Sequence, residues 1–392
     1  MTRFLAYTSP ARGHLYPITP TLLELARRGH DVHVRTLAAE VSALTDAGLH
    51  ASAIDAAIEE IELDDWQSAD PVEGIGRIFA AFATRADHEI PDLRRAIADV
   101  QPDCLLVDIT TPGAAAVAEA SGLPWARWIP FLAHASFDPA PSSRIEFLPY
   151  SLLPSGLQVV NDARAVVGLS DLTSADEGWR AAVELYLTAE PFELPGLSYP
   201  ESFRLVGPGV WEPASAPAPW LDELEGPLVL VTASSEKQGD DGLIRTAIKA
   251  LGGSDIALAI STAAHDPSHF TAPSNVRVER WLPHLPVMSH AAAVLCHGGM
   301  GITQKALAAG VPVCVVPFGR DQFEVAKLVG LTGCGAVLLP DQLNPDHLAS
   351  AVRDAMTMRA GAAKVAEGFR KAGGSVAAAD AVEGLIGARL AT

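Results

Sequence analysis

Two places in this chain carry residue types at spacings that could do chemistry. The first is "SPARGHLYP", where His14 follows an apolar strand-like run and Gly13 lets the backbone turn. Asp108, in "LLVDITTPG", closes a second apolar run just ahead of a helix pattern. A carboxylate beside an imidazole fixes its tautomer and stabilises the imidazolium, so the other ring nitrogen can take a proton from a hydroxyl. Taken singly, His14 reads as a surface or capping histidine and Asp108 as the N-cap of the helix after it. Together they make a candidate His–Asp dyad.

The second place runs from Cys296 to Gln322, "CHGGMGITQKALAAGVPVCVVPFGRDQ". His297 follows the strand-like "AAVLC"; Gly298, Gly299 and Gly301 then open a helix, "ITQKALAAG", that Gly310 stops. Clustered glycines let a backbone approach something closely, and a helix start aims its free N–H groups and dipole at an anion. A tight turn explains such glycines equally well. The segment has neither the G-x-G-x-x-G of dinucleotide dehydrogenases nor the G-K-[ST] of P-loops.

These groups need a frame. With 392 residues the chain exceeds one ordinary core, and two domains of roughly 150–200 residues are expected. Strand patterns "RFLAYTS", "HDVHVRTL", "DCLLVDI" and "WARWIP" alternate with helices "LYPITPTLLELARR", "PDLRRAIADVQ" and "TPGAAAVAEASG". That alternation predicts a parallel sheet with helical crossovers. Residues 131–200 lose the pattern and read as a lid, a pocket wall or a peripheral insertion. A Pro-rich stretch at 207–226 reads as a linker, and the alternation restarts with "PLVLVTAS", "GLIRTAIKALGG", "IALAIST", "VRVERWL" and "VPVCVVP". The expected architecture is therefore α/β: a Rossmann-like domain over 1–206, the linker, a second Rossmann-like domain over 227–372 and a C-terminal helix over 373–392, one place for which is back against the first domain. In open sheets ligands sit at the carboxyl ends of strands, so two doubly wound domains would face each other across a cleft.

Composition narrows the partners. A formal net charge of −19 speaks against nucleic acid, which needs a basic face. Cys104, Cys296, Cys314 and Cys334 occur singly, mostly in apolar runs, which fits a reducing cytoplasm better than zinc or disulfides. No apolar run approaches the roughly 18 residues of a membrane span, and the N-terminus is too short in apolar residues for a signal peptide.

The motifs "RGHLYP", "RWLPH" and "HGGMGITQKALAAGVPVCVVPFGRDQ" carry a resemblance to the GT-B fold glycosyltransferases of family 1, of the natural-product and antibiotic type, over essentially the whole length. The resemblance implies an inverting, metal-independent hexosyltransferase using a UDP- or dTDP-sugar. It gives His14 the role of general base and Asp108 that of the acid orienting it. It stacks the nucleotide base on Trp281 and brings Ser235, or its neighbour Ser234, to a phosphate. His297 with Gly298, Gly299, Gly301 and Ile302 becomes the pyrophosphate cradle, and Asp321 with Gln322 the pair that binds sugar hydroxyls; an amide and a carboxylate suit a polyhydroxylated ring. Asp321 also reads as the N-cap of the helix "QFEVAKLV". Two positions depart from the family. His284 stands where Gln is common, and Lys305 where users of UDP-glucose often place a Glu on the ribose diol. A lysine cannot accept those hydrogen bonds; it can donate to one ribose oxygen, sit near the diphosphate, or pair with a surface acid.

No cofactor beyond the nucleotide sugar is implied, and no Asp-x-Asp motif offers to hold a metal. The partners expected are a small-molecule acceptor and the sugar donor, in a monomer or homodimer without integral membrane attachment. Phe131, Phe137, Phe147 and Tyr150 are candidates for an apolar acceptor pocket, together with Trp128 and Leu152, although aromatics in such a stretch also serve as core. The rival readings are a non-catalytic sugar-nucleotide-binding helper, which would keep the cradle and lose the dyad, and a sugar-nucleotide epimerase, which needs no acceptor.

Overall fold

The computed structural model describes residues 1–68, 70–135, 146–147, 154–173, 177, 180–215, 218–236 and 238–390. They fall into two compact units. The first comprises Met1–Leu187, Ser198–Trp211 and Ala372–Thr392; the second comprises Thr188–Leu197 and Glu212–Lys371.

The first unit begins β1 (Arg3–Tyr7), α1 (Arg12–Arg27), β2 (Asp31–Thr36), α2 (Val41–Asp46), β3 (His50–Ala53), α3 (Ala56–Glu60) and the long α4 (Pro71–Val100). Then come β4 (Cys104–Asp108), α5 (Pro112–Ala120), β5 (Trp125–Ile129), the short β6 (His134–Ala135) and β7 (Glu146–Phe147), α6 (Pro154–Val167), β8 (Val183–Tyr186) and β9 (Phe203–Leu205). Seven of the strands make one parallel sheet in the order β3-β2-β1-β4-β5-β8-β9, while β6 and β7 pair antiparallel with each other. The central strands are apolar runs because helices cover both faces. Phe4, Leu106 and Trp128 pack with Leu15, Ile18 and Leu22 of α1 on one side. Leu5, Tyr7, Leu105 and Val107 pack with Ile90 and Leu93 of α4 on the other.

The second unit holds β10 (Leu228–Thr232), α7 (Asp241–Leu251), β11 (Ala257–Ser261), β12 (Val276–Glu279), α8 (His284–His290) and β13 (Ala291–Cys296). It continues with α9 (Met300–Ala308), β14 (Val313–Val315), α10 (Gln322–Thr332), β15 (Gly335–Val337), α11 (Pro345–Met356) and α12 (Arg359–Lys371). Its six parallel strands are ordered β12-β11-β10-β13-β14-β15. The last helix, α13 (Gly374–Leu390), belongs to the first unit, where Arg28 meets Asp380 at 2.6 Å and Glu383 at 2.5 Å.

Each sheet reverses its chain order once, between β1 and β4 in the first and between β10 and β13 in the second. A reversal splays the flanking loops apart at the carboxyl edge and leaves a crevice there. His14 and Asp108 follow β1 and β4; the loop of Ser234 and the glycine segment follow β10 and β13. The fold brings the candidate residues to its two switch points.

Four details differ from the sequence reading. The helix α1 starts at Arg12, so His14 lies in its first turn and Gly13 is helical; the turn is made earlier, where Ala11 is extended. The helix α4 runs through Pro91 instead of starting there, because its buried face (Phe82, Ala86, Ile90, Leu93) is continuous across the proline. Within 131–200, α6 and β8 are regular, and β8 joins the sheet as a fully buried strand of four residues, too short for its pattern to stand out. The stretch 207–226 is divided between the units at Trp211/Glu212 rather than standing apart, and residues 188–197 cross into the second unit.

Candidate active site

In the first unit the dyad is formed. His14 Nδ1 lies 2.9 and 3.0 Å from the two Asp108 oxygens. Asp108 is fully buried and His14 is 21% exposed. A buried carboxylate survives only with donors around it. Asp108 has them: the Ser9 N–H and hydroxyl donate at 3.0 and 2.7 Å, and the Thr110 N–H and hydroxyl at 3.0 and 3.1 Å. Burial alone would raise its pKa; the His14 charge and these hydrogen bonds outweigh burial and hold it below the ordinary value. An ionised carboxylate only accepts, so Nδ1 carries the proton of neutral His14 and Nε2 has the lone pair. The N-cap alternative for Asp108 does not hold, since α5 starts at Pro112 behind Thr111 and the Asp108 side chain turns to His14, Ser9 and Thr110.

The Phe131 ring centroid is 5.8 Å from that of His14, an apolar wall beside the imidazole. Trp128 is core: it is fully buried and its Nε1–H donates to the His14 carbonyl at 3.2 Å, steadying the first turn of α1. Phe137, Tyr150 and Leu152 lie outside the described residues, and of Phe147 only the backbone is described.

In the second unit α9 begins at Met300, so Gly299 is the N-cap and Gly301 already helical, two residues earlier than the sequence suggested. Gly298 has φ +88°, and a Cβ there would meet Val315 Cγ1 at 2.7 Å. A Cβ on Gly299 would meet His297 Nε2 at 2.4 Å, so this glycine gives the imidazole its place. His297 is 7% exposed and its Nδ1 makes no well-formed hydrogen bond. Burial lowers its pKa against the pull of Asp240, leaving the ring neutral at neutral pH. Ile302 follows in the first turn of α9.

Around this helix start the side chains form a chain. Ser234 is buried; its hydroxyl accepts from the Glu236 N–H at 3.1 Å and from Gln238 Nε2 at 2.9 Å, while Ser235 is exposed. Gln238 in turn accepts from Gln322 Nε2. Gln322 is almost fully buried, and its Oε1 accepts from the Phe318 and Gly319 N–H groups at 2.7 and 3.2 Å. Its amide thus holds the loop after β14. Asp321, partly exposed, occupies the N-cap position of α10 but makes no capping bond with its side chain.

Trp281, just past β12, is 49% exposed. His284 opens α8; its Nε2 is buried without a hydrogen bond, and burial with Lys305 nearby lowers its pKa to about 3. Lys305 is largely buried and its Nζ lies 3.5 Å from Glu212, whose other oxygen accepts from the Leu285 N–H at 3.0 Å. It is thus paired with Glu212 rather than pointing to solvent. Ser9, Thr110, Glu212, Gln238, Asp240 and His265 were not singled out by the sequence; they read as ordinary turn and cap residues, and only the fold brings them to the candidates.

Among the described residues no group of three or more His, Cys, Asp or Glu side chains could hold a metal, and no helix is long and apolar enough to cross a membrane. All four cysteines are free and buried.

Residues 245–373 match the family described as "Erythromycin biosynthesis protein CIII-like, C-terminal domain". The 4'-demethylrebeccamycin synthase of Lentzea aerocolonigenes is 31% identical over 423 aligned residues, covering 98% of this chain and 99% of that protein. Among solved structures, the calicheamicin glycosyltransferase CalG4 superposes with a TM-score of 0.76 at 22% identity, over 99% of this chain and 98% of the other. The glycosyltransferase VinC, solved in complex with dTDP, gives 0.70 at 21% identity, over 98% and 99%. Two parallel Rossmann-like units of this kind make the GT-B fold, and the full-length relative makes the chain a sugar-transferring enzyme. The chain belongs to the GT-B glycosyltransferases of antibiotic and natural-product biosynthesis.

Proposed function

We propose that this enzyme is an inverting transferase that moves a hexose from a dTDP- or UDP-sugar to a hydroxyl of a bulky small molecule, of polyketide, macrolide, ansamycin or phenolic type. The observation that carries this reading is the dyad. With Nδ1–H given to a buried carboxylate, His14 Nε2 takes the acceptor's hydroxyl proton while that oxygen attacks the anomeric carbon. The carbon–oxygen bond to the diphosphate breaks, both electrons leave with the diphosphate, and the anomeric configuration inverts. The N–H groups that open α9 receive the leaving charge, with His297 beside them and the base stacked on Trp281. Asp321 is the carboxylate for a sugar hydroxyl. The reaction needs no divalent cation and takes place in the cytoplasm.

The intact dyad favours a transferase over a helper protein or an epimerase. Because Lys305 offers no acceptor for a ribose diol, dTDP-sugars should serve at least as well as UDP-sugars; the dTDP bound to VinC supports that reading. A mass-shift screen of hydroxylated polyketides and phenols against both donor classes tests it. An α-linked donor should give a β-glycoside, and activity should persist in excess EDTA. A retained α-linkage in the product NMR would rule out the base mechanism, and donor turnover to an epimer without acceptor would favour the rival enzyme.

A further inference from the structure

The loops after β10, β11 and β13 neighbour one another on the carboxyl edge of the second unit's sheet, and one buried carboxylate ties them together. Asp240, just before α7, has no exposed surface. Its Oδ2 accepts from the Ser234 N–H at 2.7 Å, and its Oδ1 lies 2.7 Å from His265 Nε2 in the loop after β11. That loop is stitched in place: the Thr262 hydroxyl donates to the His265 carbonyl at 2.8 Å and the Ala264 N–H to the Ser234 carbonyl at 3.3 Å. The third loop supplies His297, which is close enough to Asp240 to interact electrostatically and has a buried Nδ1 lacking a well-formed bond. A buried polar atom left open at a switch point is one that a ligand would complete.

A carboxylate is an unwelcome neighbour for a diphosphate. We propose that His265, held protonated against Asp240, cancels that charge, so that the nucleoside diphosphate meets a neutral pair rather than a buried anion. The pair is a positioning and charge-setting device for the donor end of the site, and it rests on the nucleotide-sugar reading above. The surroundings agree. Asp240 and Asp241 raise the His265 pKa, against burial and Arg245 of α7. The adjacent Asp266 is engaged by the Ser268 N–H at 2.9 Å and lies near His269 and Arg280. His297 is lowered and stays neutral, so it does not titrate in the same window. The sign follows: His265 is charged below its raised pKa, and nucleotide affinity is lost as pH rises through that pKa.

The test is dTDP and UDP affinity by calorimetry between pH 6.5 and 9 for the wild type, His265→Gln and His265→Gln/Asp240→Asn. At pH 6.5 His265→Gln should bind about tenfold more weakly and without pH dependence, while the wild type falls toward it at high pH. Removing the carboxylate as well should restore most of the affinity. In turnover the loss should appear in the donor KM, with kcat little changed. Should His265→Gln fail to fold, His265→Lys keeps a cation in reach and should move the pH profile upward. Equal affinity and pH slope in wild type and His265→Gln would overturn the inference, as would a deficit that persists in the double variant. A wild type that binds neither nucleotide would overturn the donor reading itself.

Discussion

The molecule contains two His–Asp pairs built alike but set in different surroundings. In each, a fully buried aspartate sits near the carboxyl edge of a parallel sheet and holds a histidine about one-fifth exposed: 21% for His14 and 20% for His265. The difference lies in what else the carboxylate touches. Asp108 also accepts from the Ser9 and Thr110 N–H groups and both hydroxyls, so neutral donors stand beside His14 around it. Asp240 also accepts from the Ser234 N–H, and the bond to His265 is the leading influence that lowers its pKa against burial. In both pairs the histidine leads the influences that lower the carboxylate's pKa against burial, and the pairs differ in the neutral donors added to it. On the readings proposed above, identical residue types would serve as a base in one unit and a counter-ion in the other.

The largest effect should come from separating chemistry from donor binding. His14→Ala should lower turnover by about 10²–10⁴, the usual contribution of a general base, with dTDP affinity unchanged. A variant keeping more than about a tenth of the wild-type rate on a weakly acidic alcohol removes His14 from that role.

The converse experiment is in the cradle. Gly299→Ala puts a methyl where His297 Nε2 now lies, 2.4 Å from the new carbon, so the ring must move. Nucleotide affinity should fall by about tenfold while kcat at saturating donor changes little. Calorimetry and steady-state kinetics on the two variants make a crossed pair. If each variant damaged both functions equally, the division of labour between the units would be wrong.

That division is partly legible in the residues alone. Glycines and apolar strand runs mark the carboxyl edges, and switch-point logic brings His14 to Asp108 although 93 residues separate them along the chain. Asp240 and His265 carry no such signal. An aspartate ahead of a helix pattern reads as a cap, and a histidine in "TAAHDPSH" reads as a turn; their pairing depends on β10 and β11 being neighbours in register. For a related reason the motif fixes the position of Gln322 but not which way its amide turns. The partner of Lys305, Glu212, comes from the Pro-rich stretch, which composition alone presents as a linker.

A third variant asks how far the first pair depends on its own surroundings. Glu89 of α4 is fully buried; its Oε2 accepts from the Gly113 N–H at 2.9 Å and the Ala114 N–H at 3.3 Å, and its Oε1 has no partner. Burial pushes its pKa up from 4.5 to about 8. The folded state keeps this proton while the unfolded chain releases it, so stability falls between those pH values, by on the order of 1 kcal/mol per pH unit. Glu89→Gln should have a Tm advantage over wild type that grows from pH 5 to 8, with turnover near wild type. Parallel Tm curves would show that Glu89 ionises without cost, and a collapse in rate would tie it to the dyad.

The smallest effect concerns donor choice. Lys305→Glu alone is a poor test, because it sets two carboxylates against each other where Lys305 Nζ now lies 3.5 Å from Glu212. Changing both residues, as Glu212→Gln/Lys305→Glu, removes the repulsion and offers an acceptor where a ribose diol would lie. The glutamine can still accept from the Leu285 N–H, so the start of α8 keeps its tie. Charge-assisted hydrogen bonds contribute about 1.5–3 kcal/mol, part of which goes to ordering the new side chain, so a shift of at most about tenfold toward UDP-donors is expected. The measurement is kcat/KM for matched UDP- and dTDP-glucose in wild type and double variant. The wild type should use dTDP-glucose at least as well as UDP-glucose. A strong wild-type preference for UDP, unmoved by the double change, would mean that the ribose is gripped elsewhere in the unit and that position 305 does not select the donor.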